Sequence, residues 1–181
     1  MSRDFQLPGR APVIACEGMA ATSHPLATLA AVDMLRAGGS AADAAVAAGA
    51  TLCVVEPHMT GIGGDCYWLV SQPGKPLSAY NGSGRSGAKA SHDAVRAQGL
   101  SEIGASIHCV TVPGAPDAWE SILKAHGRFG LDRALARAIH YAEDGFPVAA
   151  RVAWDWQRYV GKLKADPGAA KHFLFGGAPP R

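Results

Sequence analysis

Between Pro25 and Val55 the chain is largely apolar, with Asp33, Arg36 and Asp43 as the charged exceptions and a break at Gly38, Gly39 and Ser40. The pattern predicts two helices. Ser23 is placed to cap the first, with Pro25 in its first turn, where a missing N–H costs little. That helix is apolar nearly all round apart from Asp33 and Arg36, the pattern of a buried element. Gly38 and Gly39 close it, because glycine takes the left-handed C-terminal conformation freely. Ser40 opens the second helix with Asp43 three residues on, a variant of the capping box. Alanine and valine fill this helix, so neighbours can approach its backbone closely. Pro57 ends it, and Gly61, Gly63 and Gly64 turn the chain into the short apolar run Cys66–Val70, read as a buried strand.

The polar punctuation continues to divide the chain. Gln72, Pro73, Gly74, Lys75 and Pro76 form a turn by composition, so residues 77–80 return as a strand and pair with Cys66–Val70 in a hairpin. Residues 81–87, NGSGRSG, are a loop. Residues 91–98 read as a short helix and 107–112 as a strand ended by Pro113-Gly114. The last third is helical. Pro116 suits a helix start, and Trp119, Ile122, Leu123 and His126 share one face until Gly127. Leu131, Leu135, Ala138, Ile139 and Ala142 recur at helical spacing opposite Arg133, Arg137 and His140. Residues 149–163 form a third helix carrying Trp154, Trp156 and Tyr159, and Pro167, Gly168 and a Gly-Gly-Ala-Pro-Pro tail follow. At the other end, residues 1–12 read as a loose arm and 13–16 as the start of a first strand. No internal repeat stands out.

Composition narrows the function classes. A chain of 181 residues with 48% hydrophobic and 18% charged residues is globular, and residues 1–181 are expected to form a single domain. Its 17 Lys+Arg against 15 Asp+Glu give +2 with no basic run, which argues against nucleic acid or an anionic membrane as partner. The N-terminus has no apolar core of a signal peptide, and no apolar stretch is long enough to span a membrane. The expectation is a soluble, cytoplasmic protein. Cys16, Cys53, Cys66 and Cys109 lack paired spacing, so neither a disulfide framework nor a metal site is expected, although Cys53, His58 and Cys66 lie close in sequence. No cofactor is expected either.

The order SHPLAT, AGGSAADAAVAAG and VVEPHMTGIGGD resembles the N-terminal part of γ-glutamyltranspeptidases. The resemblance continues through Val112-Pro113-Gly114, Gly127-Arg128-Phe129-Gly130 and the run from Ala142 to Val148. It implies an α/β (α+β) fold, the N-terminal part of the αββα sandwich of the Ntn hydrolases. It also implies a large-subunit portion of a zymogen that cuts itself into two subunits. The nucleophile of that family is a threonine that becomes the N-terminus of the small subunit, with its own amine as base. By this resemblance the partners are a small-molecule amide or γ-glutamyl substrate and the small subunit of the same precursor. No catalytic residue is expected in this stretch, and alone it is expected to be inactive.

The resemblance implies one contribution from the large subunit, an arginine that grips the substrate carboxylate with a planar fork of donors. Aligning on Ala88-Lys89-Ala90 places Ser83 at that arginine's position, with Arg85 two residues further on. In an extended loop Arg85 would point the same way as Ser83. Ser83 and Arg85 are therefore the candidate substrate-binding residues, with a solvated loop arginine as the competing reading. Asp65 stands where the main transpeptidases carry glycine, and with NGSGR it is similar to the amidohydrolase branch that includes oxamate amidohydrolase. Glutathione hydrolysis or γ-glutamyl transfer, hydrolysis of short non-glutamyl amides, and an inactive scaffold chain remain as functions. Two weaker patterns carry less. Gly61-Ile62-Gly63-Gly64 lacks the lysine of a phosphate loop, and Ser23-His24 with Asp33 is read as a helix start, not a triad.

Overall fold

The computed structural model describes residues 13–104 and 106–180; the arm expected at 1–12 lies outside the described residues. Helix α1 spans Pro25–Arg36 and α2 spans Ala41–Val55. They fold back on each other through Gly38 and Gly39, Gly38 taking φ 89°. The contact faces are mostly alanine, with Met34 the one large side chain among the buried residues. Ala31, Met34, Ala44, Ala47 and Ala48 are all buried in one cluster between them, and the absence of bulk lets the two backbones approach closely.

Strands β1 (Cys66–Val70) and β2 (Ser78–Gly82) form the expected antiparallel hairpin, with Cys66 opposite Gly82 and Trp68 opposite Tyr80. Its two faces differ. Cys66, Trp68, Val70 and Tyr80 lie against the main core, whereas Tyr67 and Leu69 are 63% and 74% exposed. Helix α3 (His92–Arg96) is short and capped by Ser91. Helix α4 (Ala115–His126) buries Trp119, Ile122 and Leu123 under the hairpin and against α2 and α5 (Leu131–Asp144). Ile122 and Val46 are fully buried, and each such side chain contributes about 1.5–3 kcal/mol of hydrophobic free energy. Helix α6 (Ala150–Lys164) pairs with α7 (Pro167–Phe173), where Trp156 lies 6.3 Å from Phe173 between ring centroids. No helix among the described residues is long and apolar enough to cross a membrane.

The structure departs from the pattern reading in seven places. Strand β1 is not buried: its side chains alternate between partly covered and exposed, because only one face of the hairpin packs on the core. Residues 13–16 are not a strand; Val13 and Ile14 are 70% and 91% exposed with no neighbour to pair with among the described residues. Residues 107–112 hold a 3₁₀ turn at Ile107–Cys109, because Ser106 Oγ accepts the His108 N–H and competes with extended backbone. The N-cap of α1 is His24, not Ser23. Strand β2 continues through Asn81 and Gly82, two residues poor in strand propensity that composition assigns to the loop. The buried face of α5 is Ala134, Ala138 and Tyr141, leaving Ile139 48% exposed. Helix α7 begins at the Asp166 cap followed by proline, a start signal the pattern of apolar residues does not carry.

Candidate functional site

Three segments meet at one end of the hairpin: the turn at residues 61–65, the loop after β2, and the segment that leads into α4. The Gly64 carbonyl accepts the N–H groups of Gly114 and Ala115 at 3.0 and 3.1 Å, tying the first turn of α4 to the glycine turn. Thr111 Oγ1 donates to the Ser83 carbonyl at 3.2 Å, and the Val112 N–H donates to the Arg85 carbonyl at 2.8 Å. The loop thus lies backbone against backbone on residues 111–114. Gly84 is required there. It takes φ 74°, and a Cβ on it would sit 1.9 Å from the Val112 carbonyl oxygen.

This geometry changes the relation between Ser83 and Arg85. Extended backbone would aim both side chains the same way, but the left-handed Gly84 between them interrupts the alternation. Arg85 is exposed, and among the described residues no ion pair involves it. Ser83 is tied down. The Ser83 N–H donates to Asn81 Oδ1 at 3.0 Å, so the atom of Asn81 facing it must be the carbonyl oxygen. Ser83 Oγ is in short contact with the same oxygen and has to be the donor there. With its one proton committed, Ser83 Oγ accepts from Tyr67 Oη at 2.9 Å. The order of donation runs Tyr67 to Ser83 to Asn81.

Tyr67 and Asn81 have no place in the sequence reading of the site. The signal was present in the hairpin register: Tyr67 is directly opposite Asn81, and a tyrosine reaches the diagonal neighbour two residues on. Ending β2 at Tyr80 hid that register. Asp65, the other departure noted above, is exposed at the base of β1, at the same end of the hairpin as Ser83.

A second polar group forms where the start of α1 meets the end of α2. Ser23 Oγ donates to Glu56 Oε2 at 2.6 Å, so its carboxylate partner is Glu56 and not Asp33. His24 is buried and its Nδ1 accepts the Leu26 N–H at 3.2 Å, which fixes the neutral tautomer with the proton on Nε2. Burial pushes the His24 pKa down, offset in part by Glu56. Asp33 instead pairs with Arg137 at 2.8 Å. Burial also raises the thiol pKa values of Cys53 and Cys66, and all four cysteines are free. No group of three or more His, Cys, Asp or Glu among the described residues is arranged to hold a metal ion. An open cleft of about 1190 Å³ between residues 15–22 and the α1–α2 pair is walled largely by alanine and glycine and contains neither Ser83 nor Arg85.

A family model described as Gamma-glutamyltranspeptidase matches residues 27–181. The chain belongs to the γ-glutamyltranspeptidase family. Family relatives include a glutathione hydrolase-like YwrD proenzyme of Bacillus subtilis, 40% identical over 93% of this chain and 32% of its own length. An oxamate amidohydrolase proenzyme of Klebsiella pneumoniae is 38% identical over 93% of this chain and 33% of its own length. The chain therefore spans about a third of the relatives it matches. Among solved structures, Helicobacter pylori γ-glutamyltranspeptidase superposes with TM-score 0.86 at 27% identity, covering 94% of this chain and 50% of that one. Cephalosporin acylase from Bacillus halodurans gives TM-score 0.83 at 38% identity, covering 96% and 35%. The mixed helix-and-sheet fold is that of the family's Ntn hydrolases, and this chain matches part of it.

Proposed function

We propose that residues 1–181 are one domain-sized portion of the large subunit of an autoprocessed amide hydrolase, a zymogen whose nucleophile comes from the small subunit of the same precursor. The proenzyme names of the relatives support self-cleavage. In this reading the present stretch supplies substrate recognition, and the acyl-threonine chemistry is supplied elsewhere in the precursor. The four free thiols suit a reducing compartment, and the cytoplasm is the proposed location.

The substrate proposed is a short amide bearing a carboxylate, oxamate-like in size, in preference to glutathione. One observation carries this: the Ser83 hydroxyl proton is already committed to Asn81, while Arg85 is exposed and free of ion pairs among the described residues. A serine in that state cannot donate to a carboxylate, so Arg85 is the grip. Charge-assisted hydrogen bonds of this kind contribute about 1.5–3 kcal/mol, or roughly ten- to hundred-fold in affinity. The test is kcat/KM of the two-subunit enzyme matured from the full precursor, on oxamate and on glutathione, for the parent and for Arg85→Ala and Ser83→Ala. Oxamate should be preferred, and Arg85→Ala should cost ten-fold or more while Ser83→Ala costs less. Glutathione preferred, with Arg85→Ala neutral, would return the protein to γ-glutamyl transfer or hydrolysis.

A further inference from the structure

Residues 15–22, the outer wall of the large cleft, meet α1 at a joint of hydroxyls and one imidazole. Thr22 Oγ1 donates to the His24 carbonyl at 2.7 Å. With its proton spent there, it accepts from Thr28 Oγ1 at 2.8 Å and from the His24 N–H at 3.3 Å. Ser23 Oγ ties the same joint to Glu56 at the end of α2. His24 sits at the centre, 3% exposed, and caps α1 through Nδ1, which accepts the Leu26 N–H at 3.2 Å.

The chemistry of this cap is unusual. The preferred caps are oxygens, and a hydroxyl or amide oxygen accepts at any ordinary pH. An imidazole nitrogen accepts only while it carries no proton. Protonating Nδ1 sets one N–H against another and places a cation in a buried position. Nε2 is also buried and has no hydrogen-bond partner among the described residues. Glu56 is the charged group that acts on the ring, but its Oε2 is taken by Ser23, and no ion pair among the described residues includes His24. The other charged residues of the helix pair, Asp33, Arg36 and Asp43, lie at its opposite end.

We propose that His24 is a proton-operated cap: neutral, it closes the first turn of α1 and holds the joint to residues 15–22; protonated, it releases both. Two of the three Thr22 bonds end on the His24 backbone, so loosening that turn loosens the cleft wall with it. Burial pushes the His24 pKa down, with Glu56 opposing in part, so the neutral cap is the form present at neutral pH. Between that lowered value and about 6.5 the uncapped state binds more protons than the capped one, and acid favours uncapping. With the freed imidazole near 6.5, the gain available by about pH 5 is thirty-fold at most.

Hydrogen exchange read by mass spectrometry, on the two-subunit enzyme matured from the full precursor, tests this at about pH 7.5 and about pH 5. The reporters are the amides of Leu26, Ala27 and Thr28, which bond to the His24 ring and carbonyl. Their protection factors should fall by about five- to thirty-fold, the lower figure being the worth of an ordinary N-cap. Residues 44–50, in the middle of α2, should change by less than about two-fold. His24→Asn offers an oxygen that accepts the same N–H at either pH, so it should keep the protection and abolish the drop. His24→Ser repeats that test if His24→Asn fails to fold. Glu56→Gln should deepen the drop, because Glu56 no longer offsets burial in the capped form. Equal protection at both pH values in the parent, a drop that survives in His24→Asn, or one that vanishes in Glu56→Gln would each overturn the inference.

Discussion

Asp43 offers the sharpest test of how this fold is held. It is fully buried near the start of α2, yet it is ionised and satisfied. Its Oδ2 accepts the Ser40 N–H at 2.7 Å and the Arg128 N–H at 2.9 Å, and Oδ1 accepts the Phe129 N–H at 3.0 Å. One carboxylate therefore closes the capping box of α2 and fastens the α4–α5 connection to it, joining segments 85 and 86 residues apart. Burial alone would raise its pKa, but the hydrogen bonds from Arg128, Ser40 and Phe129 together outweigh burial and hold it below the usual value. In Asp43→Asn the amide keeps one acceptor and sets its NH₂ against a backbone donor. The substitution loses at least one charge-assisted bond and leaves a buried N–H unpaired. The cost is about 2–4 kcal/mol. The pH dependence follows in sign. The folded pKa is depressed, so between it and about 3.9 the unfolded chain binds more protons. The stabilisation is complete above the unfolded value and is lost as pH falls through the folded one. Urea unfolding followed by tryptophan fluorescence should show a gap of about 2–4 kcal/mol between parent and Asp43→Asn at pH 7 that shrinks on acidification below about pH 4. A gap below about 0.5 kcal/mol at pH 7, or one unchanged at about pH 3, would refute the reasoning; the first threshold is the usual spread of surface substitutions, about ±0.5 kcal/mol.

Other outcomes are equally specific. Gly84→Ala meets the Val112 carbonyl and a positive φ, so it should destabilise by about 2–4 kcal/mol and lower the melting temperature, measured by circular dichroism. Ile122→Ala, at a fully buried position in the core, should cost about 2–5 kcal/mol in the same unfolding assay. A His24 pKa held down by burial means that stability should decline as pH falls below about 6.5; His24→Gln should flatten that part of the stability curve. Cys53 and Cys66, with raised pKa values, should react with a thiol reagent at about pH 8 more slowly than the exposed Cys16 and Cys109; four equal rates would contradict the burial.

Much of the fold was legible because its signals are local. Ser40 and Asp43 spell a capping box whichever way the rest of the chain runs, and both hydrogen bonds of that box are present. The glycine pair after α1, the hairpin around residues 72–76 and the buried face of α4 follow from punctuation and period alone. The family was legible for a different reason: its motifs are the same glycine turns and helix starts, fixed in order along the chain. Residues 13–16 and 107–112 failed because β propensity is expressed only against a neighbouring strand, and none lies beside them among the described residues.

The candidate site was only half legible. Alignment within the loop proposes Ser83 and Arg85, but their relation was not legible, because a single left-handed glycine interrupts the alternation an extended loop would dictate. The second task of Asp43, fastening Arg128 and Phe129, is invisible in the capping motif that announces its first. Tyr67 and Asn81 sit on different strands and meet only through the pairing register. Sequence determined the elements, since helix caps, turns and apolar period act between residues a few positions apart. Tertiary structure alone decided which polar groups share a proton, since hydrogen bonds between distant segments depend on register and backbone approach that no local pattern encodes.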